Sequence, residues 1–448
     1  MTDQPAPPTG AAKKPMTVLQ AAFIGVGAMV GAGIFALLGA AGAVAGSAVW
    51  LSFLIAGAIA ALQGYSFAKL GAAYPSSGGM LAYLAKGFGE GHVTGIVAWL
   101  FYITGGIVAA MVATSFGGYA SSVVAGGDPF WATVLAIALV LVMTLLNIIG
   151  ARAVARVQSV IVNIVLGILA LFAIVTIANW DPALLDPAGY PGVREIIASV
   201  ALTFFAFLGF GVITFTAKDL KDPSRQLPRA MYIALGIATA VYVGVSLGVF
   251  GTLTAEEVVA YGSTALAEAA RPTLGDAGYV LMVVTALFST AGAVNASFYP
   301  AAGMTRHLAQ VHQFPPVFGT QIARRAPVGL VVLALVTILM IVLLDLNSIA
   351  SLGSAVALLV FSAVTVSHFR TYRETGASLV VLIIALIATL GTFVVFASTT
   401  LVSEPKTAIA LMVVLLAALL LDLVWKRVRG GREARERELR STDGPSPA

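Results

Sequence analysis

Gly25-Val26-Gly27-Ala28-Met29-Val30-Gly31-Ala32-Gly33-Ile34-Phe35 lies inside the first long apolar run of the chain. Glycine costs about 1 kcal/mol against alanine in a helix interior, so four glycines in such a short stretch need a reason. One reason is close packing of neighbouring helices against small residues. The other is an interrupted helix. In lipid the freed backbone N–H and C=O groups are tolerated only where they line a cavity or are buried in protein, and groups that need a partner can hold a solute.

A second segment favours the interruption. Thr203-Phe204-Phe205-Ala206-Phe207-Leu208-Gly209-Phe210-Gly211-Val212-Ile213 again places paired glycines inside an apolar run, here among four phenylalanines. The two segments lie five spans apart, at matching positions of two five-helix blocks. Such a pair points to a transporter site between inverted repeats. A half-helix that starts at a break offers N–H groups and positive dipole to a carboxylate. One that ends there offers carbonyls to a cation. A zwitterion satisfies both.

The surroundings are those of a multi-span membrane protein. The 448 residues are 59% hydrophobic and 10% charged, against roughly 25% charged in soluble domains. At about 20 residues per span the chain has room for a dozen, and twelve apolar segments are predicted: 17–45, 47–72, 91–123, 130–150, 154–179, 193–219, 227–252, 274–308, 327–345, 347–371, 377–400 and 406–427. The first is too long for a cleavable signal and reads as a span. Residues 1–15 read as a disordered N-terminus, 16–427 as the transmembrane domain and 428–448 as a charged tail. Within the domain, repeat one covers about 16–180, repeat two about 190–372 and the two extra spans about 376–427. Of the 25 Lys and Arg, all but Arg194, Arg271 and Lys406 fall on one side when the loops alternate. By the positive-inside rule that side is the cytoplasm, with both termini there and the whole in the cytoplasmic membrane. The basic residues sit in short loops and one tail, so they do not imply nucleic-acid binding. The chain has no cysteine, which excludes disulfides, thiolate metal sites and a thiol nucleophile.

Several motifs in this order resemble the APC (amino acid–polyamine–organocation) superfamily, and within it the prokaryotic broad-specificity amino-acid permeases of LeuT-type fold. They are Gly31–Phe35, the Tyr74–Gly79 loop, Phe207–Gly211, Lys218–Pro223 followed by Leu227–Ala230, and Ala286–Thr290 through Asn295. The resemblance implies an all-α membrane protein of twelve spans. It implies a five-plus-five inverted repeat with spans 1 and 6 broken, and two C-terminal spans. It also implies alternating access around a substrate held between spans 1, 3, 6, 8 and 10. Carried over, it makes Gly31, Ala32 and Gly33 backbone donors to a carboxylate and sets Phe205, Ala206 and Leu208 beside the amine, with Phe205 as gate. The candidate substrate-binding set is Met29, Val30, Gly31, Ala32, Gly33, Ile34, Phe205, Ala206, Phe207, Leu208, Gly209 and Asn295.

The departures bear on coupling. Sodium-independent relatives carry a lysine in span 5, where this chain has Val165, with Asn163 two residues earlier. The glutamate of basic-amino-acid exchangers aligns with Gly211, and that at the cytoplasmic end of span 6 with Lys218. Without the lysine, a coupling cation has a candidate site at Ala28, Gly31, Asn163, Ser289 and Thr290, with Na+ at the two hydroxyls. Proton coupling through Asp219 or a water chain, and uncoupled exchange, stay open. No other metal and no cofactor is expected.

Every ionisable residue reads as a span end, loop or tail, with Asp345 and Asp422 at span ends. A membrane interior without charges disfavours a dicationic solute, which needs buried anions, and favours a neutral amino acid. The alternative is another small solute on the same fold: a polyamine, another organic cation or potassium. Tyr102, Thr104, Asn295 and Ser354 are further polar residues that reach substrate or bond neighbouring helices, and Asn147 and Asn163 share that ambiguity. No span carries a catalytic constellation, no phosphate-binding Gly-x-x-x-x-Gly-Lys-[Ser/Thr] loop occurs, and no repeated filter loop suggests a channel. The expectation is a non-enzymatic secondary transporter.

Overall fold

A computed structural model describes residues 15–76, 79–149, 152–322 and 325–442; for Ala32, 152–159 and 430–442 it describes the backbone alone. The expected disorder of 1–14, Ser77 and Gly78 of the Tyr74–Gly79 loop, Arg324, and the tail from 443 on lie outside the described residues.

The chain is a bundle of helices: α1 (Val18–Ala45), α2 (Val49–Ala73), α3 (Met80–Phe88), α4 (His92–Val124), α5 (Pro129–Ile149), α6 (Arg152–Ala178), α7 (Val193–Phe204), α8 (Pro223–Phe250), α9 (Ala255–Tyr261), α10 (Ala265–Glu268), α11 (Arg271–Gln310), α12 (Val328–Leu343), α13 (Leu346–Thr375), α14 (Leu379–Ser403) and α15 (Pro405–Thr442). A 3₁₀ segment, Phe205–Asp219, continues α7 without a gap. The only strands among the described residues are β1 (Gln321–Ile322) and β2 (Ala326–Pro327), a two-residue hairpin. Local chemistry sets several boundaries. Thr17 and Gln20 form a capping box at the start of α1, and Asp345 caps α13 through the Ser348 N–H at 2.9 Å.

Ten stretches among the described residues are long and apolar enough to cross a membrane, against twelve expected. One of them, Gly33–Ala73, runs from the second half of α1 through α2, and α12 is a shorter apolar helix. The 16 residues of α12 extend about 24 Å at ~1.5 Å per residue, short of a hydrocarbon core of about 30 Å. The short helices α3, α9 and α10 were not anticipated. Past the last apolar stretch, α15 continues as helix through the Arg- and Glu-rich segment to Thr442.

The expected break in the first span is corrected. Helix α1 is helical throughout Val18–Ala45. Its glycines serve close packing instead. A Cβ on Gly31 would stand 2.5 Å from the Ser289 carbonyl oxygen, and one on Gly33 would stand 2.6 Å from both the Ala206 Cβ and the Tyr242 hydroxyl. The interruption in the sixth span is present in altered form. At Phe205 the chain changes from α to 3₁₀ geometry and keeps it for 15 residues, where such runs rarely exceed three or four.

Helices α4 and α13 are mostly buried, whereas α5, α6, α14 and α15 turn apolar faces outward, as lipid contact requires. At one end of the bundle the Met16 N–H donates to the Asp219 carbonyl at 2.8 Å, and Met16 bridges Leu220 in parallel. The lead into α1 is thereby stitched to the end of the 3₁₀ segment.

Candidate functional site

The 3₁₀ segment organises the centre. With three residues per turn, side chains at i and i+3 fall in one row. Phe204, Phe207, Phe210 and Ile213 form such a row and are fully buried. Phe207 meets Tyr242 at 5.1 Å between ring centres, Phe210 meets Phe67 at 5.2 Å and Phe204 meets Phe361 at 5.8 Å. The neighbouring row, Gly209, Val212 and Phe215, faces a cavity together with Phe205 and Leu208. Thr214 and Thr216 return their hydroxyl protons to carbonyls three residues back, both at 2.7 Å, in keeping with the tighter helix.

The cavity measures about 100 Å³. Its wall comes from α1 (Ala28), α4 (Phe101 to Val108), the 3₁₀ segment, α11 (Ala293 to Met304), α12 (Leu333) and α13 (Ala357, Val360, Phe361). Phe101, Phe215 and Met304 are half-buried, while Phe205, Leu333 and Phe361 are buried. The cavity therefore opens toward the end where α4 starts and the 3₁₀ segment and α11 finish. At the crossing of α1 and the 3₁₀ segment, Gly209 lets the backbones meet: a Cβ there would stand 2.5 Å from the Met29 nitrogen.

Among the described residues, no ionisable side chain other than the Tyr102 phenol lines the wall. Its hydroxyls are committed to carbonyls: Tyr102 donates to Gly329 at 2.5 Å, Thr104 to Leu100 at 2.8 Å and Ser297 to Ala293 at 3.0 Å. One backbone acceptor is different. Pro300 sits inside α11 and lines the cavity beside Ala296. Proline has no N–H, so the Ala296 carbonyl lacks its usual donor four residues on.

Of the expected substrate-binding residues, Ala206 and Phe207 turn into the core, and Met29, Val30, Gly31, Gly33 and Ile34 are not part of the cavity wall. Phe205, Leu208 and Gly209 do line it, with Ala28. The side chain of Ala32 lies outside the described residues. Phe205 rests against α13 where Gly353 leaves no room for a Cβ. Asn295 is buried and accepts from Asn147 on α5 at 2.9 Å, away from the wall, and Ser354 donates to Ala350 at 2.8 Å. The wall residues not anticipated include Phe101, Phe215, Met304, Leu333 and Phe361. A three-residue step from Gly209 through Val212 leads to Phe215, and the Gly105-Gly106 pair of α4 marks where Leu333 enters.

The residues expected to hold a coupling cation fall in part around a second void of about 10 Å³, lined by Gly27, Val30, Ile161, Val162, Val165 and Ser289. Val165 thus faces Ser289 between α6 and α11. Ala28 instead lines the larger cavity. Asn163 is exposed, on the other side of α6. The Thr290 hydroxyl donates to Ala286 at 2.6 Å.

One charged group departs from the expected inventory. Asp422 of α15 is fully buried, 2.6 Å from the His92 ring at the start of α4 and 3.2 Å from the Lys426 ammonium. Outside the spans, the Tyr74 hydroxyl donates to Glu374. Burial, then that carboxylate, pushes its pKa up to about 12. Asp222 is held below the usual carboxylate range, chiefly by the Ser224 hydroxyl.

Comparison with known proteins decides the class. The family model described as amino acid permease matches residues 16–420. The chain belongs to the amino acid permease family. It is 33% identical over 416 residues to the inner membrane transport protein YbaT of Escherichia coli K12, covering 92% of this chain and 97% of that protein. It is 25% identical over 311 residues to the serine/threonine exchanger SteT of Bacillus subtilis, covering 68% and 70%. It is 26% identical over 263 residues to the branched-chain amino acid permease BcaP of the same species, covering 54% and 55%. The chain is therefore a multi-pass membrane transporter of the APC superfamily and not an enzyme.

Proposed function

We propose that the chain carries neutral amino acids, with a preference for apolar side chains, across the cytoplasmic membrane by alternating access. The single observation behind this reading is the wall of the cavity at α1, α4, the 3₁₀ segment, α11 and α13. It is apolar and carries no carboxylate, lysine, arginine or histidine. A buried net charge would find no counter-ion there. A zwitterion brings its own. Its ammonium group reaches the Ala296 carbonyl, and its side chain rests among Phe101, Phe215 and Met304. Polyamines, other organic cations and potassium fit this wall poorly for the same reason. That some relatives are named for serine, threonine and branched-chain amino acids agrees with a neutral substrate.

The twelve-span topology belongs to this proposal. So do the five-plus-five repeat of about 16–180 and 190–372, the two added spans and the cytoplasmic placement of both termini. The excess of Lys and Arg on one side supports the span count and the placement of the termini. On that orientation the cavity opens to the cytoplasm, and Phe205 closes its far end. Coupling to sodium receives little support. The void beside Ser289 has about the volume of one water, and apart from one hydroxyl its side chains are aliphatic.

The test is uptake of labelled L-alanine into proteoliposomes, with sodium and pH gradients imposed separately and unlabelled neutral, basic and acidic amino acids as competitors. Competition by neutral amino acids alone is expected. Inhibition by polyamines or arginine, with none by neutral amino acids, overturns the reading.

A further inference from the structure

Leu333 belongs to α12, a helix outside the set expected to hold substrate, yet it is part of the cavity wall. It is 1% exposed, and α12 packs against α4, whose residues Phe101 to Val108 line the cavity. The geometry of α4 explains how the side chain gets through. Gly105 and Gly106 leave a gap in its surface: a Cβ on Gly106 would stand 3.0 Å from one Leu333 methyl, and one on Gly105 would stand 3.8 Å from the other. One hydrogen bond and one longer polar contact join the helices around this point. Tyr102 of α4 donates to the Gly329 carbonyl at 2.5 Å, and the Thr337 hydroxyl, which donates to the Leu333 carbonyl at 2.8 Å, also lies 3.3 Å from the Gly106 carbonyl. Gly329 and Thr337 lie four residues before and after Leu333, one turn away on each side. The clamp fixes Leu333 in the gap.

We infer that Leu333 is a specificity-determining residue, filling the glycine window of α4 from behind and setting the size of the substrate side chain. The inference rests on the amino-acid reading above. Shortening Leu333 deepens the cavity without altering α11, whose Ala296 carbonyl receives the substrate's ammonium group. L333A then favours bulkier apolar substrates. Adding bulk at the rim, in G105A, favours smaller ones. One methylene in an apolar pocket discriminates by about tenfold or more, so the ratio of L-phenylalanine to L-alanine uptake should rise about tenfold in L333A and fall in G105A.

The experiment combines that ratio, measured in proteoliposomes, with thiol labelling that needs no transport. Because the chain has no cysteine, L333C and the cavity control A296C each carry one reactive group for a small water-soluble methanethiosulfonate. Labelling of both, slowed by saturating L-alanine, together with the opposite shifts in uptake, is the expected result. Labelling of A296C but not L333C places Leu333 behind the wall and overturns the inference. So does an uptake ratio unchanged in both L333A and G105A while the parent transports L-alanine. Should L333A fail to fold, L333V and L333M grade the same change. A parent that takes up no amino acid defeats the functional reading instead, and the labelling arm still decides whether Leu333 faces the cavity.

Discussion

The His92 ring nitrogen Nδ1 lies 2.6 Å from Asp422 Oδ2, joining the start of α4 to α15. Gly95 leaves room for the carboxylate against α4, and Lys426 reaches its other oxygen at 3.2 Å. A buried carboxylate inside a membrane protein needs partners, and here they are His92, the first residue of α4, and Lys426, one turn on in α15.

Removing one side of a buried pair costs about 3–5 kcal/mol, because the other charge is stranded. H92A leaves Lys426 in place and removes a half-exposed ring, so it should cost under about 1 kcal/mol. D422A leaves a lysine that is 16% exposed and should cost about 3 kcal/mol. Thermal unfolding midpoints of the two variants in detergent give the comparison. Equal losses would mean that the histidine matters as much as the carboxylate in holding α15 in place.

Gly31 and Gly167 separate packing glycines from incidental ones. G31A drives a Cβ into the Ser289 backbone, which cannot give way as a side-chain tip can. A loss of about 1–3 kcal/mol is expected. G167A meets nothing within 4 Å, and a helical alanine should be neutral or stabilising by up to about 1 kcal/mol. Yields of monodisperse protein after heating distinguish the two.

Gln63 ties three helices together. Its amide donates to Thr389 on α14 at 2.5 Å and to Ala385 at 3.3 Å, and its oxygen accepts from Thr365 on α13 at 2.7 Å. Interhelical bonds of this kind contribute about 0.6–2 kcal/mol in membranes. Q63A should lose about 2 kcal/mol and Q63L less, since leucine fills the space. Chemical denaturation in mixed micelles measures both. A Q63L variant weaker than Q63A would show that filling the site does not help.

Ser289 and Thr290 test the coupling reading. With one hydroxyl on the small void and the other bonded to its own helix, replacing sodium with choline should leave L-alanine uptake unchanged. S289A and T290A should show the same indifference. Uptake that stops without sodium, in the parent but not in S289A, would place an ion beside Ser289.

Much of the fold was legible because the bilayer imposes its own pattern. Apolar runs and the paired glycines of the sixth span announced the helices and where α7 changes character. What escaped had no periodic signature. The α1 glycines satisfied two readings, and only the positions of Ser289, Ala206 and Tyr242, each far along the chain, decided for packing. Asp422 looked like a span end because its partners, His92 and Gly95, lie more than 300 residues away. Ala206 and Phe207 entered the candidate set with the family resemblance, and the three-residue winding of the segment turns both into the core. Leu333 could not be found from its own helix at all, since its role depends on two glycines of another.

The winding of Phe205–Asp219 also carries a mechanical consequence. Rise per residue is about 2.0 Å in a 3₁₀ helix and about 1.5 Å in an α-helix, so these 15 residues stand about 7 Å longer than their α form. Relaxation to that form would shorten the rod and unwind it by roughly 300° between its ends. The aromatic row now seated in the core would no longer face one way. The segment is in this sense a wound spring, and the Met16–Leu220 stitch fastens its free end to the lead of α1.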